Sequence, residues 1–166
     1  MPLIPDTSAF QERLAALPLA TYQAGDTVVA AGSRTGRLLI LRKGAVAIVK
    51  EGIEIAKVAE PGAMFGELSA LLDQPHTADV RTLETSQFHV ADAADLLAQD
   101  PIALLYVASV LARRLDGANQ ALIELKSQLE AGQPRSVIGK TVEKMEGLLG
   151  AGGAHLYAGD PYDSYA

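Results

Sequence analysis

The sequence predicts a mainly β fold with flanking helices and a long C-terminal helix, and three observations predict it. Between Leu19 and Val90 the chain breaks into short apolar runs separated by glycine turns. From Ile102 to Glu130 it has no proline and a single glycine, Gly117. Apolar residues make up 49 % and charged residues 20 % of the 166 residues, the balance of a soluble globular protein with its own core. That length fits one domain plus an appendage.

At the N-terminus, Asp6 or Thr7 caps a short helix with Phe10, Leu14 and Leu17 on one face, and Pro18 follows it. The apolar runs are Leu19–Tyr22, Thr27–Ala31, Leu38–Leu41, Ala45–Val49, Ile53–Val58, Ala78–Leu83 and Ser86–Val90. Many short strands at close spacing indicate a sandwich or barrel rather than a parallel sheet. The run Ala45–Val49 is apolar almost throughout, which predicts burial on both faces. Phe65 to Ser69 reads as a strand end passing into a short helix, Glu67 to Leu72, and a second helix begins near Asp92.

Asp100-Pro101 is a strong start signal, a capping carboxylate before proline at the first helical position. In the helix that follows, Leu115, Leu122 and Leu129 take one heptad position and Leu111, Ala118 and Leu125 the other. The first half, with Leu104, Leu105, Tyr106 and Val107, is expected to pack on the β domain, and the second to meet another helix. Homodimerisation through residues 102–130 is therefore expected. Ala131 to Pro134 ends the helix, and Ile138, Val142, Met145 and Leu149 mark a shorter amphipathic one. The stretch Gly150 to Ala166 reads as a flexible tail whose Tyr157, Tyr162 and Tyr165 could dock on a partner. Residues 1–131 are thus expected to form the main domain, and 132–166 a short helix and tail.

Several function classes are disfavoured. Without cysteine there is no disulfide, thiolate metal site or cysteine nucleophile. His76, His89 and His155 are scattered, so no metal site is expected. Ser69, His76 and Asp79 lack a nucleophile-elbow sequence, and no enzyme activity is expected. The net charge of −6 opposes nucleic-acid binding. The N-terminus lacks signal-peptide features and no apolar run approaches the length of a bilayer span, so a cytoplasmic location without membrane contact is expected.

The stretch Pro61 to Val80 carries the chemistry: Pro61-Gly62-Ala63-Met64-Phe65-Gly66-Glu67-Leu68-Ser69, then Gln74-Pro75-His76-Thr77-Ala78-Asp79-Val80. A glycine at a helix start lets backbone N–H groups approach an anion, and the following carboxylate, Glu67, can accept a hydroxyl proton. Alternatively, Gly66 serves a turn and Glu67 caps its own helix.

With Tyr22-Gln23-Ala24-Gly25-Asp26 and Leu39 to Val46, this stretch resembles the phosphate-binding cassette of cyclic-nucleotide-binding domains, a likeness running from about Leu19 to Leu129. The resemblance implies a double-stranded β-helix, a jelly-roll-like β-roll, followed by a long helix. It implies that Gly66, Glu67, Leu68 and Ser69 hold ribose and phosphate, that Thr77 offers a hydroxyl or N–H, and that position 76 contacts the phosphate. No cofactor is implied, only a cyclic nucleotide ligand such as cyclic AMP. The DNA-binding domain of some relatives is not expected here, since too few residues follow Leu129 for a winged helix-turn-helix of ordinary size.

His76 stands where the family usually carries arginine. Replacing a charge-assisted bond to the phosphate costs roughly 1.5–3 kcal/mol, or one to two decades of affinity. Arg81 sits further along its strand and Arg42 lacks geometric support as a substitute. Two readings remain. One is a stand-alone cyclic-nucleotide sensor that signals through its C-terminal helix to an unidentified protein partner. The other is a degenerate fold acting as a non-sensing dimeric scaffold or binding a different anion.

Overall fold

The computed structural model describes residues 7–150, with side chains from 8 to 144. The tail expectation, including Tyr157, Tyr162 and Tyr165, lies outside the described residues. Helix α1 (Thr7–Ala15) leads into β1 (Leu19–Tyr22), β2 (Thr27–Val29), β3 (Arg37–Lys43), β4 (Val46–Lys50) and β5 (Ile53–Val58). There follow β6 (Met64–Phe65), α2 (Glu67–Leu72), β7 (Asp79–Thr82), β8 (Ser86–Asp92), α3 (Ala93–Gln99), α4 (Pro101–Glu130) and α5 (Arg135–Gly150).

The strands form an antiparallel sandwich of two four-stranded sheets, ordered β1-β8-β3-β6 and β2-β7-β4-β5. This is the jelly-roll-like arrangement predicted, with the long helix behind it. Alternation along β3 divides the core. Leu39 and Leu41 point between the sheets, where they meet Val46, Val58, Phe65, Val80 and Phe88. Leu38 and Ile40 point the other way, into a helical cluster with Phe10, Leu14, Leu97, Tyr106 and Val110. Thus β3 is buried on both faces. In β4, expected to be so, Ile48 and Val49 are only half-buried. The reason is tertiary: α1, α3 and α4 cover the β3 sheet, while the other sheet has less over it.

Phe10 stacks on Tyr106 with ring centroids 4.0 Å apart, fastening α1 to α4. The Asp100 carboxylate accepts from the N–H groups of Ile102 (3.0 Å) and Ala103 (3.3 Å) and pairs with Arg13 at 2.6 Å. It therefore caps α4 and ties it to α1. Ala103, Tyr106, Val107 and Val110 form the buried face of the first half of α4, whereas Leu104 and Leu105 are exposed. A period of 3.6 residues allows only one stripe of that run inward.

The second half of α4 meets α5. Ala121 is fully buried, Thr141 Oγ1 donates to Gln128 Oε1 at 2.8 Å, and Lys144 pairs with Glu124 at 3.4 Å. Helix α5 also lies against β5. Leu115, Leu122 and Leu129 nevertheless remain exposed. Among the described residues no single helix is long and apolar enough to cross a membrane.

Candidate functional site

Between the two ends of Pro61–Val80 the fold builds a pocket of about 430 Å³, floored by the second sheet and walled by α4. Gly66, Glu67, Leu68, Ser69, His76 and Thr77 all line it, although six residues of chain, 70–75, separate the two groups. Strands β6 and β7 bring them together. Phe65 pairs with Leu39 in one sheet, and Asp79 pairs with Val49 in the other.

Gly66 has φ +96°, and a Cβ there would collide with the Arg37 carbonyl and approach His76 Cε1 to 3.5 Å. Glycine is therefore required by the local turn and by packing, whatever binds. Glu67 caps nothing in its own helix. Its carboxylate is 5 % exposed and accepts from Arg114 Nη1 at 2.5 Å, across to α4. Arg114 Nη2 also reaches the Met64 carbonyl at 3.4 Å, while its buried Nε has no hydrogen-bond partner among the described residues. The Ser69 hydroxyl donates to the Gln74 carbonyl at 2.5 Å, so it closes the end of α2. Leu68 and Thr77 are exposed on the rim.

His76 is buried and clamped by the loop before β3. Its N–H donates to Ser33 O at 2.9 Å, its carbonyl accepts from Gly32 N–H at 2.7 Å, and Nε2 lies 3.1 Å from Thr35 Oγ1. Burial lowers its pKa from the ordinary 6.5, with the Glu67 carboxylate opposing. The imidazole is thus neutral at pH 7. Arg81 pairs instead with Asp79 at 2.7 Å, and Arg42 lies beside His89 in a different cavity.

Several lining residues escaped the reading of the sequence: Lys50 and Ile55 from β4 and β5, and Leu111, Arg114, Leu115 and Ala118 from α4. Arg114 had a signal. It continues the buried series Val107, Val110 at helical spacing, so it is a cation aimed inward that needs a partner. Ile55 had none, since it is exposed to the pocket by an irregularity in the β4–β5 register beside Ile48 and Val49.

Residues 19–99 match the family profile described as cyclic nucleotide-binding domain. Over 114 residues the chain is 34 % identical to Glutaminase 2 of Bradyrhizobium diazoefficiens, covering 64 % of this chain. It spans only 18 % of that protein's length. The N-terminal domain of a transcriptional regulator from Streptomyces coelicolor A3(2) is 29 % identical, with a TM-score of 0.53 over 72 % of this chain and 87 % of that one. PKAR CBD2 with Sp-2Cl-cAMPS bound shares the fold at 20 % identity, with a TM-score of 0.55 over 74 % and 77 % of the two chains. So does the regulatory subunit of a cAMP-independent protein kinase A from Trypanosoma brucei, at 21 % identity and a TM-score of 0.51 over 59 % and 35 %. By the profile match and the fold around the pocket, residues 19–99 of this chain belong to the cyclic nucleotide-binding domain family.

Proposed function

We propose that the chain is a regulatory module that binds a cyclic nucleotide in this pocket and passes its occupancy on through α4. The observation that carries the reading is the buried Glu67–Arg114 pair, which joins the cassette to α4 inside the cavity. A ribose 2′-hydroxyl would donate to Glu67, and backbone N–H groups from Gly66 to Ser69 together with Thr77 would face the phosphate. The base would lie among Ile48, Ile55 and Leu111. Any ligand touching Glu67 alters the field at Arg114 and so biases the position of α4.

Leu104, Leu111, Leu115, Leu122 and Leu129 fall on one stripe of α4, with all but Leu111 exposed. We assign this stripe to a parallel pairing with a second copy of the chain. Leu111 and Leu115 belong to both stripe and pocket wall, which would link dimerisation to occupancy. In this reading residues 1–131 are the module and 132–166 an appendage, of which α5 braces α4. The chain itself catalyses nothing, and its output passes to a protein partner.

One observation favours the non-sensing alternative: His76 is neutral and engaged by Thr35. The fold alone does not choose, since its neighbours include both an analogue-bound domain and a cAMP-independent subunit. Thermal denaturation with cyclic AMP, cyclic GMP and 5′-AMP at pH 7 separates the readings. A ligand present at about a hundredfold over Kd stabilises by roughly 2.7 kcal/mol, raising Tm by several degrees. A flat response to both cyclic nucleotides would leave the scaffold reading.

A further inference from the structure

The pocket wall carries two long-chain cations, Lys50 and Arg114. Arg114 is held by Glu67. Lys50 ends β4, is exposed, and enters no ion pair among the described residues. Its place follows from the register. Val49 pairs with Asp79 and Ile48 with Val80, so Lys50 lies one step further, beside Ala78. Side chains alternate along a strand, so Lys50 shares the inward face with Ile48. Ile48, Lys50, His76, Thr77 and Ala78 accordingly line one cavity. The lysine stem rises next to the C-terminal end of the cassette, where an anion would rest.

A cyclic phosphodiester brings one full negative charge into a partly enclosed site, and leaving it without a cation is costly. Backbone N–H groups supply only partial charges, Thr77 is uncharged, and Arg114 is already neutralised across 2.5 Å. A flexible ammonium needs no fixed fork geometry and can meet the phosphate from the neighbouring strand. From this arrangement we infer that Lys50 supplies the positive charge that pairs with the phosphate of the ligand, in place of a cation at position 76. The inference rests on the nucleotide reading of the pocket and names the residue that makes an anion acceptable there.

Calorimetry on the full chain tests it, comparing the parent with Lys50→Met and Lys50→Arg, each titrated with cyclic AMP and with cyclic GMP at low and moderate salt. Lys50→Met should weaken binding roughly tenfold, a discounted value for an exposed charge-assisted contact. It should also flatten the fall in affinity with added salt, and Lys50→Arg should restore both. Unchanged affinity in Lys50→Met, or a weakening with the parent's salt dependence intact, overturns the role of Lys50 while leaving the pocket as a nucleotide site. A parent chain that binds neither nucleotide overturns both.

Discussion

Glu67 and Arg114 are the residues on which site and fold depend together. Removing one member of a buried pair leaves the other charge without its counter-ion, which costs about 3 kcal/mol or more. Glu67→Gln should therefore lower the unfolding free energy by that order, and the loss should shrink when Arg114→Met is added, as measured by denaturant titration of the four variants. An additive double variant would mean that the pair is not coupled. At His76, burial lowers the pKa below 6.5, so the native state favours the neutral ring. The sign follows from linkage: the unfolded chain takes up protons first as pH falls below 6.5, and stability is lost across that descent. His89, whose pKa is lowered by burial and then by Arg42, adds to the same loss. Denaturation at pH 7.5 and 5.5 should show it, and His76→Gln should reduce the difference. Anion binding has the opposite trend. Glu67 and Thr35 face His76, Arg114 and Lys50 line the same cavity, and a phosphate added among them favours protonation. Affinity should thus be level from pH 8 to 7 and climb only on further acidification. His76→Arg, bringing a permanent charge, should tighten binding about tenfold or more.

Helix α4 does two jobs with two faces. One face, Ala103 to Val110 and then Arg114 and Ala121, belongs to the protein's own interior. The other is the exposed leucine stripe. Both depend on where the helix begins, and Asp100 fixes that by meeting two free N–H groups and Arg13 at once. Asp100→Ala should cost about 1–2 kcal/mol, a cap plus a partly exposed ion pair, read as a lower Tm with little change in ligand affinity. Loss of affinity as large as in Glu67→Gln would mean that the start of α4 also sets the pocket. The short helix α2 carries less of its own stability, spanning only Glu67–Leu72. It is held by Ser69 closing on Gln74 and by Glu67 reaching α4.

For the whole molecule the stripe makes one demand. A leucine row left in water along most of a thirty-residue helix is better buried against a copy of itself. Light scattering should give a dimer for the parent, and Leu122→Lys should give a monomer that keeps the fold by circular dichroism. Because Leu111 and Leu115 also face the pocket, the monomeric variant should bind cyclic nucleotide several-fold more weakly. A monomeric parent would remove this part of the reading.

The glycine-broken apolar runs, the Asp100-Pro101 start and the apolar spacing of 102–130 determined the architecture, because turn chemistry, capping and periodicity are local. The motif Gly66 to Thr77 likewise named six residues that share one cavity. What the sequence left open was decided by contacts between segments far apart in the chain. Glu67 takes Arg114 rather than its own helix, β3 rather than β4 is buried twice, and α5 covers part of α4. The neutrality of His76 and the placement of Lys50 beside Ala78 belong to that second group as well. Burial and strand register exist only once the sheets close, and they set the charge in the pocket.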